Sequence, residues 1–275
     1  MDLIGVGDNV VDKYINQNYM YPGGNALNVA VLAKQYGLKT AYLGPLGNDR
    51  AGNHIFNTLE DEGINTLKTK LKTGSNRYAE VILENGDRKF VGNDLGVYIN
   101  FNLNQDDIEY IKNFKLAHTS IYSSIEPYLK QLNNIETKIS FDYSTKFNSK
   151  YIEQTAPYID IAFFSDDGLE NSTEEDIKNF MTDVYEYGPD YVVTTMGKKG
   201  AIALHKNKFY YQPIFKIKNL VDTMGAGDAF IAMFLKGYIC NLNIERILEN
   251  AAKAAAKNCT RSGAIGHGIT IKKEW

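Results

Sequence analysis

A chain of 275 residues, 44% of them hydrophobic and 23% charged, has the composition of a globular protein with a large core. Its formal net charge of −3, from 30 basic and 33 acidic residues mixed along the chain, argues against nucleic acid as the main partner. No stretch approaches the roughly 18 consecutive apolar residues that a membrane helix needs, so no membrane association is expected.

The opening "MDLIGVGDNVVDKY" has no basic segment and no long apolar run, which predicts no signal peptide and a cytoplasmic protein. "DLIGVGD" (2–8) reads as a short strand running into a glycine turn, and "GNALNVAVLAKQYG" (24–37) as a helix closed by Gly37. "TAYLGPLG" (40–47) is a second strand and "DRAGNHIFNTLEDEG" (49–63) a second helix. The rhythm breaks at "RYAEVILENGDRKFVGN" (77–93), two β-rich arms around Asn85–Gly86, a strong hairpin signal. Strands follow at 115–121, 137–143, 159–165 and 191–197 with helical segments between them, and a second hairpin surrounds "HKNK" (205–208). Two helices, 226–241 and 244–259, complete the pattern. They contain Cys240 and Cys259, which are expected to be free, buried thiols.

Strands alternating with helices predict βαβ units, a mostly parallel sheet and helices on both of its faces. Ligands of such sheets sit beyond the carboxyl ends of the strands. The hairpin at 77–93 does not suit a parallel core and is expected to form a small projecting β lid.

Several chemistries are excluded by what is missing. No GxxxxGK[ST] phosphate loop occurs. "GVGDNV" supplies a GxG, but Val10 stands where a dinucleotide fingerprint needs glycine. The four histidines, His54, His118, His205 and His267, are scattered and the cysteines unpaired, which argues against zinc.

"VDTMGAGDAF" (221–230) leads into an apolar helix with Phe230, Met233, Phe234 and Gly237 on one face. The first turn of such a helix presents backbone N–H groups and a positive dipole end, and Gly225, Ala226 and Gly227 leave room for an anion there. Asp228 follows directly. As an N-terminal acid it complements the dipole; beside a phosphoryl site it is placed to take a proton from an attacking hydroxyl. Near the other end of the chain, Asp8 and Asp12 precede "PGGNALNVA" (22–30). Gly23 and Gly24 form a turn, and Asn25 and Asn28, three apart, share one helix face. Such a group suits a polyhydroxylated ligand; equally, Asn25 could cap the helix and Asn28 lie at the surface.

These two motifs, "DTMGAGDAF" and "GGNALNVA", with the strand–helix rhythm between them, resemble the ribokinase-like (PfkB-type) carbohydrate kinases over essentially the whole chain. The resemblance implies a three-layer α/β sandwich as a single domain over residues 1–275, with a β lid formed by 9–21 and 76–98. It implies ATP-dependent phosphorylation of a sugar's primary hydroxyl, with ATP and Mg²⁺ and with a monovalent cation allowed near Asp222. Asp228 would be the catalytic base and Gly225, Ala226 and Gly227 the anion hole. Asp8, Gly23, Gly24, Asn25 and Asn28 would contact the sugar, with Asp12 beside them and Arg88 reaching from the lid, where Arg77 and Lys89 also lie. Thr195, Gly197 and Gly200 of "TMGKKG" would touch the nucleotide. The partners are a small sugar and ATP, and the lid would allow a homodimer.

Two departures stand out. "FFSDDGLENS" (163–172) lacks the family's Asn-x-x-Glu motif, so the metal ligands are undetermined, with Asp166, Asp167 and Glu170 as substitutes. "FDYSTK" (141–146) keeps Asp142 but not the usual Asp-Pro-Asn. The short connection from Asp12 to Pro22 is similar to that of the family branch acting on fructoselysine, a glycated amino acid. It implies phosphorylation of that compound's 6-hydroxyl, with fructose or ribose as alternative substrates and a non-catalytic sugar or nucleotide sensor as the alternative class.

Overall fold

The computed structural model describes residues 1–84, 87–169 and 172–271. The chain begins with β1 (Leu3–Val6), β2 (Val10–Tyr14) and β3 (Tyr19–Gly23), followed by α1 (Asn25–Gln35). β4 (Thr40–Leu43) and β5 (Pro45–Gly47) precede α2 (Arg50–Asp61). β6 (Lys70–Lys72) then leads to the long pair β7 (Tyr78–Glu84) and β8 (Asp87–Asp94). Alternation resumes with α3 (Gln105–Ile111), β9 (Leu116–Ser120), α4 (Leu129–Asn133), β10 (Lys138–Asp142), α5 (Ser149–Thr155), β11 (Ile161–Ser165) and α6 (Glu174–Glu186). β12 (Tyr191–Thr195), β13 (Ala201–His205) and β14 (Lys208–Gln212) come next. The last elements are α7 (Ala226–Ile239), α8 (Ile244–Asn258) and β15 (Ile269–Thr270).

Eight strands form the central sheet in the order β14-β13-β12-β11-β10-β9-β1-β4. The run from β12 to β4 is parallel, and near one edge β13 alone is reversed, pairing antiparallel with both β12 and β14. One core packs α1, α2, α7 and α8 against one face, and a second packs α3 to α6 against the other. This is the three-layer α/β sandwich expected. The chain leaves β1 toward β4 on one side, while β9 lies on the other, so the strand order reverses at β1. A crevice opens beyond the strand ends at such a reversal, and a ligand is expected there.

α1 shows why periodicity alone understated it. Every residue from Asn25 to Ala33 is buried, because α1 lies on β1 and under α7. A Cβ on Gly5 would overlap the Ala26 carbonyl, so glycine lets this helix sit directly on the sheet. The segment expected as one strand at 40–47 is broken at Gly44, and β5 pairs with β6 instead of continuing the main sheet.

A second, five-stranded sheet runs β15-β3-β2-β7-β8. The arms of the expected hairpin pair antiparallel, although its turn, Asn85–Gly86, lies outside the described residues. β3 begins within the expected lid segment 9–21 and runs two residues past it, while β15 adds a strand from outside the segments expected to form the lid. The cysteines correct one expectation. Both are free, but Cys240 is exposed and Cys259 only partly buried, because each caps the carboxyl end of its helix instead of facing the core. No helix among the described residues is long and apolar enough to cross a membrane.

Candidate active site

The site gathers where β1, β9 and β10 end, beneath the starts of α1 and α7. Asp8, just past β1, is 3% exposed and occupied on both oxygens. Its Oδ2 accepts the Asn25 N–H at 2.7 Å and its Oδ1 the Ala26 N–H at 3.2 Å. The hydroxyls of Ser120 and Ser123 donate to Oδ1 at 2.8 Å each. Asp8 therefore works as a remote cap for α1, whose own cap residue, Gly24, has no side chain to offer. Gly24 itself holds φ +103, and a Cβ there would collide with the Asn9 backbone. The turn is glycine because the chain crosses itself here. A Cβ on neighbouring Gly23 would press on the buried Asp12 carboxylate across the β2–β3 pair.

With its backbone fixed in this way, α1 points two amides at α7. The Asn28 Nδ2 donates to Asp228 Oδ2 at 2.7 Å. The Asn25 Nδ2 donates to Asp228 Oδ1 at 2.8 Å and also to Asp142 Oδ2 at 2.9 Å. Asn25 thus bridges two carboxylates with one NH₂ group, and no basic side chain among the described residues pairs with either acid. Burial pushes the Asp228 carboxyl up to about 6; the Asn28 and Asn25 donors oppose the rise and the charge of Asp8 adds to it. Burial likewise pushes Asp142 up to about 7, opposed by the Ser144 N–H and reinforced by the charges of Asp228 and Asp8. An acid with such a value near neutrality is suited to accept and release a proton. Neither amide serves the bland purpose that sequence left open: Asp8 caps the helix, and Asn28 is buried.

At the start of α7, Gly225 adopts a left-handed φ of +73, and a Cβ on it would meet the Ala264 Cβ at 2.5 Å. The Ala226 N–H turns back to the Thr223 carbonyl at 3.2 Å. Gly227 differs from both. It is exposed, and a Cβ there would meet nothing within 4 Å. The protein itself supplies no steric reason for glycine at that position, whereas an anion on the helix start would. Asp222 accepts from the Met224 N–H at 2.9 Å and the Gly263 N–H at 3.1 Å, tying the loop before α7 to the one after α8.

Thr195 ends β12 on the same sheet edge, its hydroxyl on the Phe164 carbonyl at 3.3 Å. Gly197 (φ +49) faces open space, and Gly200 (φ +105) closely abuts the Gln212 carbonyl. Arg77, at the foot of β7, lies 5.3 Å over the Tyr98 ring and donates to the Tyr122 carbonyl at 3.4 Å. Lys89 is solvent-exposed, while the Arg88 side chain and Glu170 lie outside the described residues.

Several site residues escaped sequence reading. Asn9 donates to the Tyr42 hydroxyl at 2.9 Å and the Pro45 carbonyl at 2.7 Å. It also accepts from Asn76, fastening the root of the lid to the main sheet. His118, Ser120 and Ser140 are fully buried in β9 and β10. Their only sequence signal was polarity inside strands too apolar to be at the surface.

Comparison with known proteins bears on the same arrangement. The family model described as "pfkB family carbohydrate kinase" matches residues 1–270. The chain is 41% identical to fructosamine kinase FrlD of Bacillus subtilis, covering 100% of this chain and 96% of that protein. It is 30% identical to fructoselysine 6-kinase of Escherichia coli, covering 95% of this chain and 98% of that one. Among solved structures, ribokinase of Arabidopsis thaliana, complexed with ribose and ATP, superposes with a TM-score of 0.84 at 20% identity. That match covers 96% of this chain and 94% of the other. Two asparagines and two acids gathered at a helix start, on this fold and in this sequence family, lead to one assignment: the chain belongs to the pfkB family of carbohydrate kinases and is an ATP-dependent sugar kinase.

Proposed function

We propose that the enzyme transfers the γ-phosphate of ATP to the 6-hydroxyl of fructoselysine, with Asp228 as the base. The observation that carries this reading is the setting of Asp228. It is a carboxylate held by two amides at a helix start, paired with no basic side chain among the described residues, and tuned close to neutrality. The substrate hydroxyl gives its proton to Asp228 as its oxygen attacks phosphorus, and ADP leaves with the β–γ bridging oxygen. The start of α7, through Gly225, Ala226 and Gly227, would receive the transferred phosphoryl group. Asn25, Asn28, Asp12, Gly23 and Gly24 would form the sugar's side of the crevice, with Asp8 acting on it through α1. Arg88 would reach the substrate from the lid, and Thr195, Gly197 and Gly200 would border the nucleotide.

Bound Mg²⁺ would neutralise charge on the phosphates. Among the described residues no group of three or more His, Cys, Asp or Glu side chains is placed to cage a metal, which fits an ion held mainly by phosphate oxygens and water. Asp166 and Asp167, following β11 on the same edge, are the acids that would face it. A single domain over 1–275, with its lid, is part of this reading. So are a homodimer through the lid, supported by the exposed Ile15, Tyr19 and Val91, and a cytoplasmic setting, supported by free thiols. A monovalent cation beside the loop that Asp222 ties completes it.

The substrate choice rests on the two relatives with names of that kind and on a site where acids outnumber bases. A ketose carrying a secondary ammonium beside its ring suits uncompensated Asp142 better than a neutral sugar does. Fructoselysine, fructose, ribose and adenosine, each assayed with ATP, should rank with fructoselysine first in kcat/KM. A value for fructose equal to or above it would refute the assignment. The pH profile gives a second test. Because the base must be ionised, kcat should fall as pH drops through 7 and then 6, the pair taking up its protons in two coupled steps. A rate constant unchanged down to pH 5 would exclude Asp228 as the base.

A further inference from the structure

His118 is fully buried in β9, yet a single residue, Asn25, stands between its ring and the carboxylates of Asp142 and Asp228. β9 alternates its side chains, so Leu116 joins the core under α1 and α7 while Ala117 joins the opposite one. His118 shares the face of Leu116 and meets α1. We propose that His118 is a positioning residue: it fixes the orientation of the Asn25 amide and thereby aims both amide hydrogens at Asp142 and Asp228. The proposal rests on Asp228 being the base.

The hydrogen-bond chemistry leaves one arrangement. A carboxylate only accepts, so the NH₂ of Asn25 must face Asp142 and Asp228, and its carbonyl Oδ1 must face away. That Oδ1 lies 2.9 Å from His118 Nε2. A carbonyl oxygen also only accepts, so Nε2 carries the proton. Nδ1 is then the bare nitrogen and accepts the Ser140 hydroxyl at 3.0 Å. Ser140 is the register partner of His118 on the neighbouring parallel strand, which places the two side chains on one face by construction. The relay therefore has one direction: Ser140 to His118, His118 to Asn25, and Asn25 to the two acids. Turning the amide over would set its carbonyl against two carboxylates and its NH₂ against an N–H. Burial pushes the imidazole down to about 3, so the ring stays neutral across the working range and the direction does not reverse.

The same face of β9 carries Ser120, which holds Asp8 and so the backbone of α1. One strand thus fixes the start of α1 at two levels, its main chain through Ser120 and its first side chain through His118. The groups that face the carboxylate pair are Asp8 beyond β1, Asn25 and Asn28 of α1, Tyr122 after β9 and the Ser144 N–H after β10, with His118 behind Asn25. Only the amides of this set supply hydrogens to Asp228, so a change in Asn25 is felt directly in its ionisation.

The test uses the full-length enzyme with saturating ATP and sugar. His118→Met keeps the volume and removes both ring nitrogens. It should lower kcat by about 10- to 100-fold, leave the KM for ATP unchanged, and move the acid limb of kcat upward by about one pH unit. His118→Gln can donate to Asn25 and accept from Ser140, and should return the limb to its wild-type position. Ser140→Ala, which deletes a single hydroxyl, should move it upward by a smaller amount and covers the case in which His118→Met does not fold. A limb that stays in place in folded His118→Met, or in Ser140→Ala when that variant is the one that folds, overturns the relay. So does a folded His118→Gln with the limb still displaced. Failure of the base itself looks different: the wild-type enzyme would then show no limb, and Asp228→Asn would still turn over.

Discussion

Asp228→Asn is expected to reduce kcat by about 10³-fold, or roughly 4 kcal/mol of barrier, while sugar affinity measured by calorimetry stays within about threefold. Asparagine keeps the volume and one acceptor toward α1, so the crevice retains its shape. What it loses is the ability to take a proton near neutrality. The effect should lie in kcat, because the hydroxyl is bound in the ground state whether or not it is deprotonated. Turnover within tenfold of wild type would remove Asp228 from its role. A sugar or nucleotide sensor built on this fold would show the opposite pattern, with binding sensitive and turnover absent from the start.

The glycines before Asp228 yield the second expectation, in which two neighbouring positions respond in opposite ways. Gly227→Ala adds a methyl group where the protein has only open space. The helix should gain about 1 kcal/mol from the better helix former, raising Tm by about 2 °C. Activity should nevertheless fall about 100-fold if the helix start receives the phosphoryl group as proposed, because the methyl would then occupy its approach. Gly225→Ala should do structural damage instead. Its φ of +73 costs an L-residue about 1 to 2 kcal/mol, and its Cβ would press on Ala264. Tm should drop by several degrees, with kcat falling alongside. Equal Tm losses in both variants, or full activity in Gly227→Ala, would remove the anion from the account.

The sequence announced α7 and its acid because everything needed lies within ten consecutive residues: a glycine turn, a carboxylate and an apolar helix face. Asn25 and Asn28 were visible for the same reason. Their partners were not. Asp142 stood out as an aspartate at a strand end, but its link to Asn25 requires β10 to lie two strands from β1 in the sheet. His118 and Ser140 become neighbours only through the parallel register of β9 and β10, which local patterning does not encode. Asp8 drew notice as a sugar ligand, whereas its place as the cap of α1 depends on serines more than a hundred residues later. β15 is two residues long and carries no alternation to read. Local chemistry was legible, and the pairing of distant strands was not.

The bonds from Asn25 and Asn28 to Asp228 span 203 and 200 residues. Closing so long a loop is an entropic cost met only when the sheet between them is already in order. On the ribosome, α1 therefore emerges long before the helix whose acid its amides will hold. With Asp228 as the base, a nascent chain whose α7 has not docked has the hydroxyl-binding half alone, without the proton acceptor or the helix start that would receive the phosphoryl group. The separation of the two motifs thus acts as an interlock: catalytic competence comes with completion of the fold and not before it.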